Sequence, residues 1–195
     1  MGCRWWAYSA ALLAALASAT GTRAADADAQ QTATGFSLVQ ELRFGAFAHD
    51  PQSNNENAPI DASFQVLSSP ISFGASDNAW LAALINPRLD FGAMINTRGR
   101  DSYGFGGFDW RFPLVDRFFL ESEFGGAVND APTHKEPDRI DVGCPVTFHE
   151  AIGLGYQLTP NIDVVASAEH ISHANLCGSH NPGITDFGLR IGYKF

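Results

Sequence analysis

From position 185 to the last residue the chain alternates without a break. Thr185, Phe187, Leu189, Ile191, Tyr193 and Phe195 occupy the odd positions, and Asp186, Gly188, Arg190, Gly192 and Lys194 the even ones. Successive side chains of a strand point to opposite faces, so this pattern predicts a strand with one apolar face and one small or charged face. Seven earlier segments read the same way, at 36–49, 60–68, 87–97, 101–112, 117–128, 146–158 and 162–172. In the first, Phe36, Leu38, Leu42, Phe44, Ala46 and Ala48 oppose Ser37, Glu41, Arg43 and His49. In 117–128, Phe118, Leu120, Phe124 and Val128 oppose Arg117, Glu121 and Glu123. The parity slips near Tyr103 and Phe105, which predicts a bulge at that glycine-rich stretch.

Eight strands of about ten residues, each with one charged face, fit an all-β fold: an eight-stranded antiparallel transmembrane β-barrel with charge toward the bore and apolar groups toward lipid. A soluble sandwich or lipocalin-like barrel has the same alternation with the sidedness reversed. Three features favour the membrane: an aromatic final residue, aromatics clustered near strand ends, and the beginning of the chain. There Arg4 precedes an apolar run to Ala19 and the small-residue exit Thr22-Arg23-Ala24, the layout of a secretory signal peptide. Cleavage is expected after Ala24, with Ala19 as the alternative, leaving residues 25–195 as one outer-membrane domain. The 69–86 connection is long for a turn on the periplasmic side, and a short helix is expected at 78–85.

Losing Arg4 and Arg23 takes the formal net charge from −9 to −11. That balance disfavours nucleic acid as a partner. Two cysteines, Cys144 and Cys177, remain after cleavage and fall in outer loops beside adjacent strands. In an oxidising compartment they most simply form one disulfide. A metal site of Cys144, Cys177 and His173 or His180 lacks any recognised ligand spacing, so no metal is expected.

In 162–172 the even residues Ile162, Val164, Ala166, Ala168, His170 and Ser172 share the apolar face, which turns His170 and Ser172 toward the outer leaflet. An imidazole and a hydroxyl two residues apart can lean together as base and nucleophile for ester cleavage. Most His-x-Ser triplets are not catalytic. Here His170-x-Ser172-x-Ala174, followed by Asn181-x-Gly183-Ile184 and a final strand, resembles the signature of the lipid A 3-O-deacylase (PagL-like) family. The specific match covers about 15 residues.

The resemblance implies an outer-membrane esterase acting on lipid A, and hence on lipopolysaccharide, from its outer wall. His170 is then the general base and Ser172 the nucleophile, with Asn181 and Gly183 in the segment that stabilises the oxyanion. Two positions depart from the family pattern. His173 stands where an asparagine usually follows the serine, and Thr185 stands where the acid is expected. Asp186 follows, but its parity points it into the bore. Counting upward from the 159–161 turn pairs Glu150 with His170 across adjacent strands, within Cβ reach of about 4.5–5.5 Å. The expected triad is therefore Ser172–His170–Glu150, with Asp186 or no acid as the alternatives. By the same count His149 and Glu169 face inward. A Ser-His mechanism requires no cofactor. The competing reading is a non-catalytic structural or adhesion barrel, which the threonine at 185 favours. A homodimer, the preferred acyl length and latency in the native membrane all stay open.

Overall fold

A computed structural model describes residues 35–52, 59–137 and 139–195. The expected signal peptide, 1–24, lies outside the described residues. Eight strands follow one another: β1 (Glu41–Ala48), β2 (Ile60–Leu67), β3 (Arg88–Asn96), β4 (Tyr103–Pro113), β5 (Phe118–Asn129), β6 (Val146–Thr159), β7 (Ile162–Ser172) and β8 (Ile184–Lys194). Each pairs antiparallel with its sequence neighbours, and β1 pairs with β8 from Glu41–Lys194 to Ala48–Phe187, closing the barrel. The expected helix is present between β2 and β3 as α1 (Ala79–Ile85). Asn78 caps it, its side chain accepting from the N–H groups of Trp80 and Leu81. Trp80 stacks on Phe112 of β4, so α1 covers the outer wall there.

Sidedness is the membrane kind. Phe44, Ile60, Phe91, Ile95, Phe124, Val128, Ile152, Leu154, Leu189 and Ile191 are exposed on the outer wall, while Glu41, Arg43, Asp109, Glu121, Glu169 and Arg190 are sealed inside. An apolar belt of that extent is unsuited to water but suits lipid, where a closed sheet also satisfies every strand's backbone. Buried charges survive only when well paired. In the bore Arg43 makes a two-pronged contact to Glu121, at 2.7 and 2.8 Å. Arg88 bridges Glu41, Asp109 and Glu121. Arg190 bonds Glu169 and Ser63, and lies over the Phe47 ring. His149 and Glu169 are bonded to each other inside, at 2.9 Å, as their parity predicted.

The bulge expected near Tyr103 and Phe105 is absent. The β3–β4 and β4–β5 registers run unbroken through this stretch. Both rings simply point inward, Phe105 stacking on His149 with ring centroids 4.1 Å apart. An aromatic on the bore side looks like a slip only if every aromatic is assigned to lipid. Gly107 and Gly125 face each other across β4 and β5 so closely that a Cβ on either would meet the partner's backbone at 2.6 Å or less. The register irregularity lies instead between Gln157 and Thr159, at the β6–β7 turn.

Candidate active site

β7 runs in register between β6 and β8. Glu150 opposes His170 on one side and Thr185 opposes it on the other. This row, Glu150–His170–Thr185, carries the outward parity shared with Ile152, Leu154 and Leu189, and it lies at the end of the barrel bearing the Cys144–Cys177 loops. The count that paired Glu150 with His170 from the turn agrees with the β6–β7 register.

The imidazole's hydrogen bond goes to β8. His170 Nδ1 lies 2.8 Å from Thr185 Oγ1. A neutral imidazole donates from one nitrogen and accepts at the other. If Nδ1–H donates to Thr185, Nε2 is left with its lone pair for an incoming proton. Gly183 packs against the edge of the same ring. Its φ is +69°, and a Cβ there would meet His170 Cε1 at 2.7 Å, Ile171 O at 2.8 Å and His170 Nε2 at 3.0 Å. Only glycine accepts both that backbone conformation and that contact.

Ser172 ends β7 with the same parity as His170 and opposite Phe148, yet it is only 7% exposed. The serine is therefore sheltered at the barrel wall rather than open to solvent. Beyond it the chain turns sharply, with Ala174 and Asn175 at positive φ, and folds back on itself. Asn181 Oδ1 accepts from the N–H of His173, the residue after Ser172, at 3.1 Å. His173 is buried in the loop it stabilises. Its Nε2 lies 3.0 Å from the carbonyl oxygen of His180, and its Nδ1 lies 3.3 Å from the N–H of Cys177. A carbonyl can only accept and an N–H can only donate, which makes His173 the neutral Nε2–H tautomer. A structural histidine thus occupies the position after the serine. The Cys144–Cys177 disulfide ties this loop to the segment before β6, with Cα atoms 6.0 Å apart.

Asp186 is fully buried in the bore, accepting from Tyr103 Oη at 2.9 Å and from the Asp50 N–H at 3.1 Å. Its parity keeps it away from His170. Beside it His49, just past the end of β1, contacts Asp61 at 2.8 Å. Burial is the largest influence on His49 and disfavours its charge. The bond to Asp61 and the charges of Asp61, Asp186 and Asp101 outweigh it and raise the imidazole above its usual 6.5.

Comparison with known proteins decides the family. The model of the "Lipid A 3-O-deacylase (PagL)" family matches residues 72–194, well over half the chain. The chain belongs to this family. Its barrel superimposes on the crystal structure of the outer membrane enzyme PagL with a TM-score of 0.55 and 18% identity, covering 80% of this chain and 99% of that one. More distant small barrels include Neisserial surface protein A (NspA), with a TM-score of 0.46, 11% identity and coverage of 83% and 98%. The N-terminal β-barrel domain of Pseudomonas aeruginosa OprF gives a TM-score of 0.44, with 12% identity and coverage of 80% and 98%. No curated protein sequence matches. The chain is thus a lipid A deacylase-like barrel of the outer-membrane type.

Two residues of the His170 environment were not recognised as such in the sequence. Thr185, which stands where the family's acid is expected, bonds the imidazole. Asp50, whose Oδ1 accepts from the Thr185 N–H at 3.4 Å, falls between the 36–49 and 60–68 segments, where alternation says nothing of its contacts. The signal for both was the register of the last strand against its two neighbours.

Proposed function

We propose that this protein is an outer-membrane serine esterase that hydrolyses the ester-linked acyl chain at the 3 position of lipid A, from the outer wall of the barrel. The observation that carries the reading is the His170–Thr185 bond, which holds the imidazole at Nδ1 and, with Nδ1–H as the donor, leaves Nε2 as the base on the face that Ser172 shares. Ser172 Oγ attacks the ester carbonyl carbon while Nε2 takes its proton. The tetrahedral intermediate collapses, Nε2–H protonates the departing sugar oxygen, and the acyl group stays on Ser172. Water, deprotonated in turn by Nε2, then releases the hydroxy fatty acid. Asn181, through its amide NH₂, and Gly183, through its N–H, are the proposed oxyanion donors. Glu150, opposite His170 on the neighbouring strand, places a negative charge beside the imidazolium. The acyl chain runs along the apolar wall below, past Ile152, Leu154 and Leu189. An N-terminal signal peptide ending at Ala24 delivers residues 25–195 to the outer membrane, where lipopolysaccharide is the partner.

A non-catalytic barrel is the second reading, favoured by a threonine where the family's acid is expected. Mass spectrometry of lipid A from cells expressing wild type or Ser172→Ala separates the two. Loss of one hydroxyacyl chain in wild type alone supports hydrolysis; identical spectra select the non-catalytic barrel.

A further inference from the structure

The closing seam of the barrel extends the His170 row by one more residue. β1 and β8 pair with Ala48 opposite Phe187. Continuing that antiparallel count two residues past the end of β1 brings Asp50 opposite Thr185. Asp50 is pinned there: its N–H donates to Asp186, its φ is +37°, and its carboxylate accepts the Thr185 N–H. The row thus reads Glu150–His170–Thr185 across β6, β7 and β8, with Asp50, just past the end of β1, held against Thr185 and a carboxylate at each end. Asp50 lies outside residues 72–194, the stretch that the family model matches.

A hydroxyl has one hydrogen. Thr185 can donate it to His170 Nδ1, which leaves the imidazole proton on Nε2 and no base facing Ser172. Or Thr185 can accept from Nδ1–H, provided its own hydrogen finds another acceptor. A carboxylate already held at the backbone of the same residue is the strongest acceptor for it. Glu150 cannot make this choice, because the Nδ1 it would have to engage is bonded to Thr185.

We propose that Asp50 is a positioning residue: it takes the hydroxyl hydrogen of Thr185, so that Thr185 accepts from His170 Nδ1–H and the base stays on Nε2, an Asp50–Thr185–His170 relay in place of a direct carboxylate. The proposal rests on the serine-esterase reading above.

The test is steady-state release of hydroxy fatty acid from lipopolysaccharide by the full-length barrel in detergent micelles, with heat-dependent gel mobility reporting the fold. Asp50→Asn should lower kcat about 10- to 100-fold, the worth of a hydrogen bond to a charged group, and leave KM within about twofold. Thr185→Val should fall as far, and the double variant little further. Thr185→Glu restores a direct carboxylate, so adding Asp50→Asn to it should cost less than about threefold, because the relay is bypassed. Wild-type kcat in folded Asp50→Asn overturns the proposal, as does an equal loss from Asp50→Asn in both backgrounds, which marks a merely structural role. If Asp50→Asn does not fold, Thr185→Val breaks the relay without touching the β1–β2 loop, and wild-type turnover there is equally fatal. Wild type no more active than Ser172→Ala ends the esterase reading and this proposal with it. An active wild type beside an unaffected Asp50→Asn ends this proposal alone.

Discussion

Replacing Gly183 by alanine sets a backbone penalty and a side-chain collision at the same atom. The backbone part follows from φ = +69°. A left-handed conformation costs an L-residue about 1–2 kcal/mol, a minor share of the stability of roughly 5–15 kcal/mol typical of a folded chain. The collision is with His170 Cε1 at 2.7 Å and with the Ile171 carbonyl oxygen at 2.8 Å, where ordinary contact begins at 3.4 Å. The carbonyl belongs to β7, which pairs on both sides and cannot yield, so the backbone at 183 must shift to clear it, while the imidazole retreats by about 0.7 Å, the difference between 3.4 and 2.7 Å. A displacement near 1 Å of a catalytic group costs on the order of 100-fold in rate. Gly183→Ala should therefore fold and lose roughly 25-fold in kcat on lipopolysaccharide, by the same scaling. Gly99 supplies the control: its φ is also +69°, and nothing lies within 4 Å of the position its Cβ would take. Gly99→Ala should carry the backbone penalty alone, a smaller loss of stability, and no loss of activity. The assay is fatty-acid release from micellar lipopolysaccharide, beside urea unfolding of each variant. A folded Gly183→Ala with kcat within about threefold of wild type would show that the ring is not held against Gly183. Equal losses in both variants would assign the effect to strain.

Two further outcomes follow from the charges around the site. Glu150 is partly buried and one strand from the imidazole; unit charges about 5 Å apart attract by about 3 kcal/mol at an effective dielectric of 20, and solvent screening leaves about 1. Glu150→Gln should thus reduce kcat only about fivefold, measured in the same assay. Inactivity would make Glu150 the principal acid, whereas full activity would remove it from the mechanism. His49 tests the seam that holds Asp50. Its pKa is raised on folding, so it contributes stability that is present below 6.5 and lost as pH rises through the higher folded-state value. Urea midpoints of wild type should fall more steeply over that interval than those of His49→Gln; parallel curves would rule out a charged His49 in the folded barrel.

Much of the site was readable because strand alternation is a local property. The parity of His170 and Ser172, the inward turn of His149, Glu169 and Asp186, and the register of Glu150 follow from period two and a short turn. The same rule misled at Tyr103 and Phe105, since periodicity assigns a face but not which face an aromatic may occupy. A loop histidine such as His173 carries no period, so its buried role in clamping the 173–183 loop had no sequence signal.

What the chain determined by itself was the set of eight amphipathic strands, the cysteine pair and the His-x-Ser pair on one face, because each is fixed within a few residues. Which group grips the imidazole was decided by closure. Thr185 meets His170 across β7–β8, and Asp50 meets Thr185 only because β1, some 135 residues earlier, returns to pair with the last strand. A hydrogen bond is chosen by atoms a few ångströms apart in space, and that distance exists only after the sheet has closed on itself.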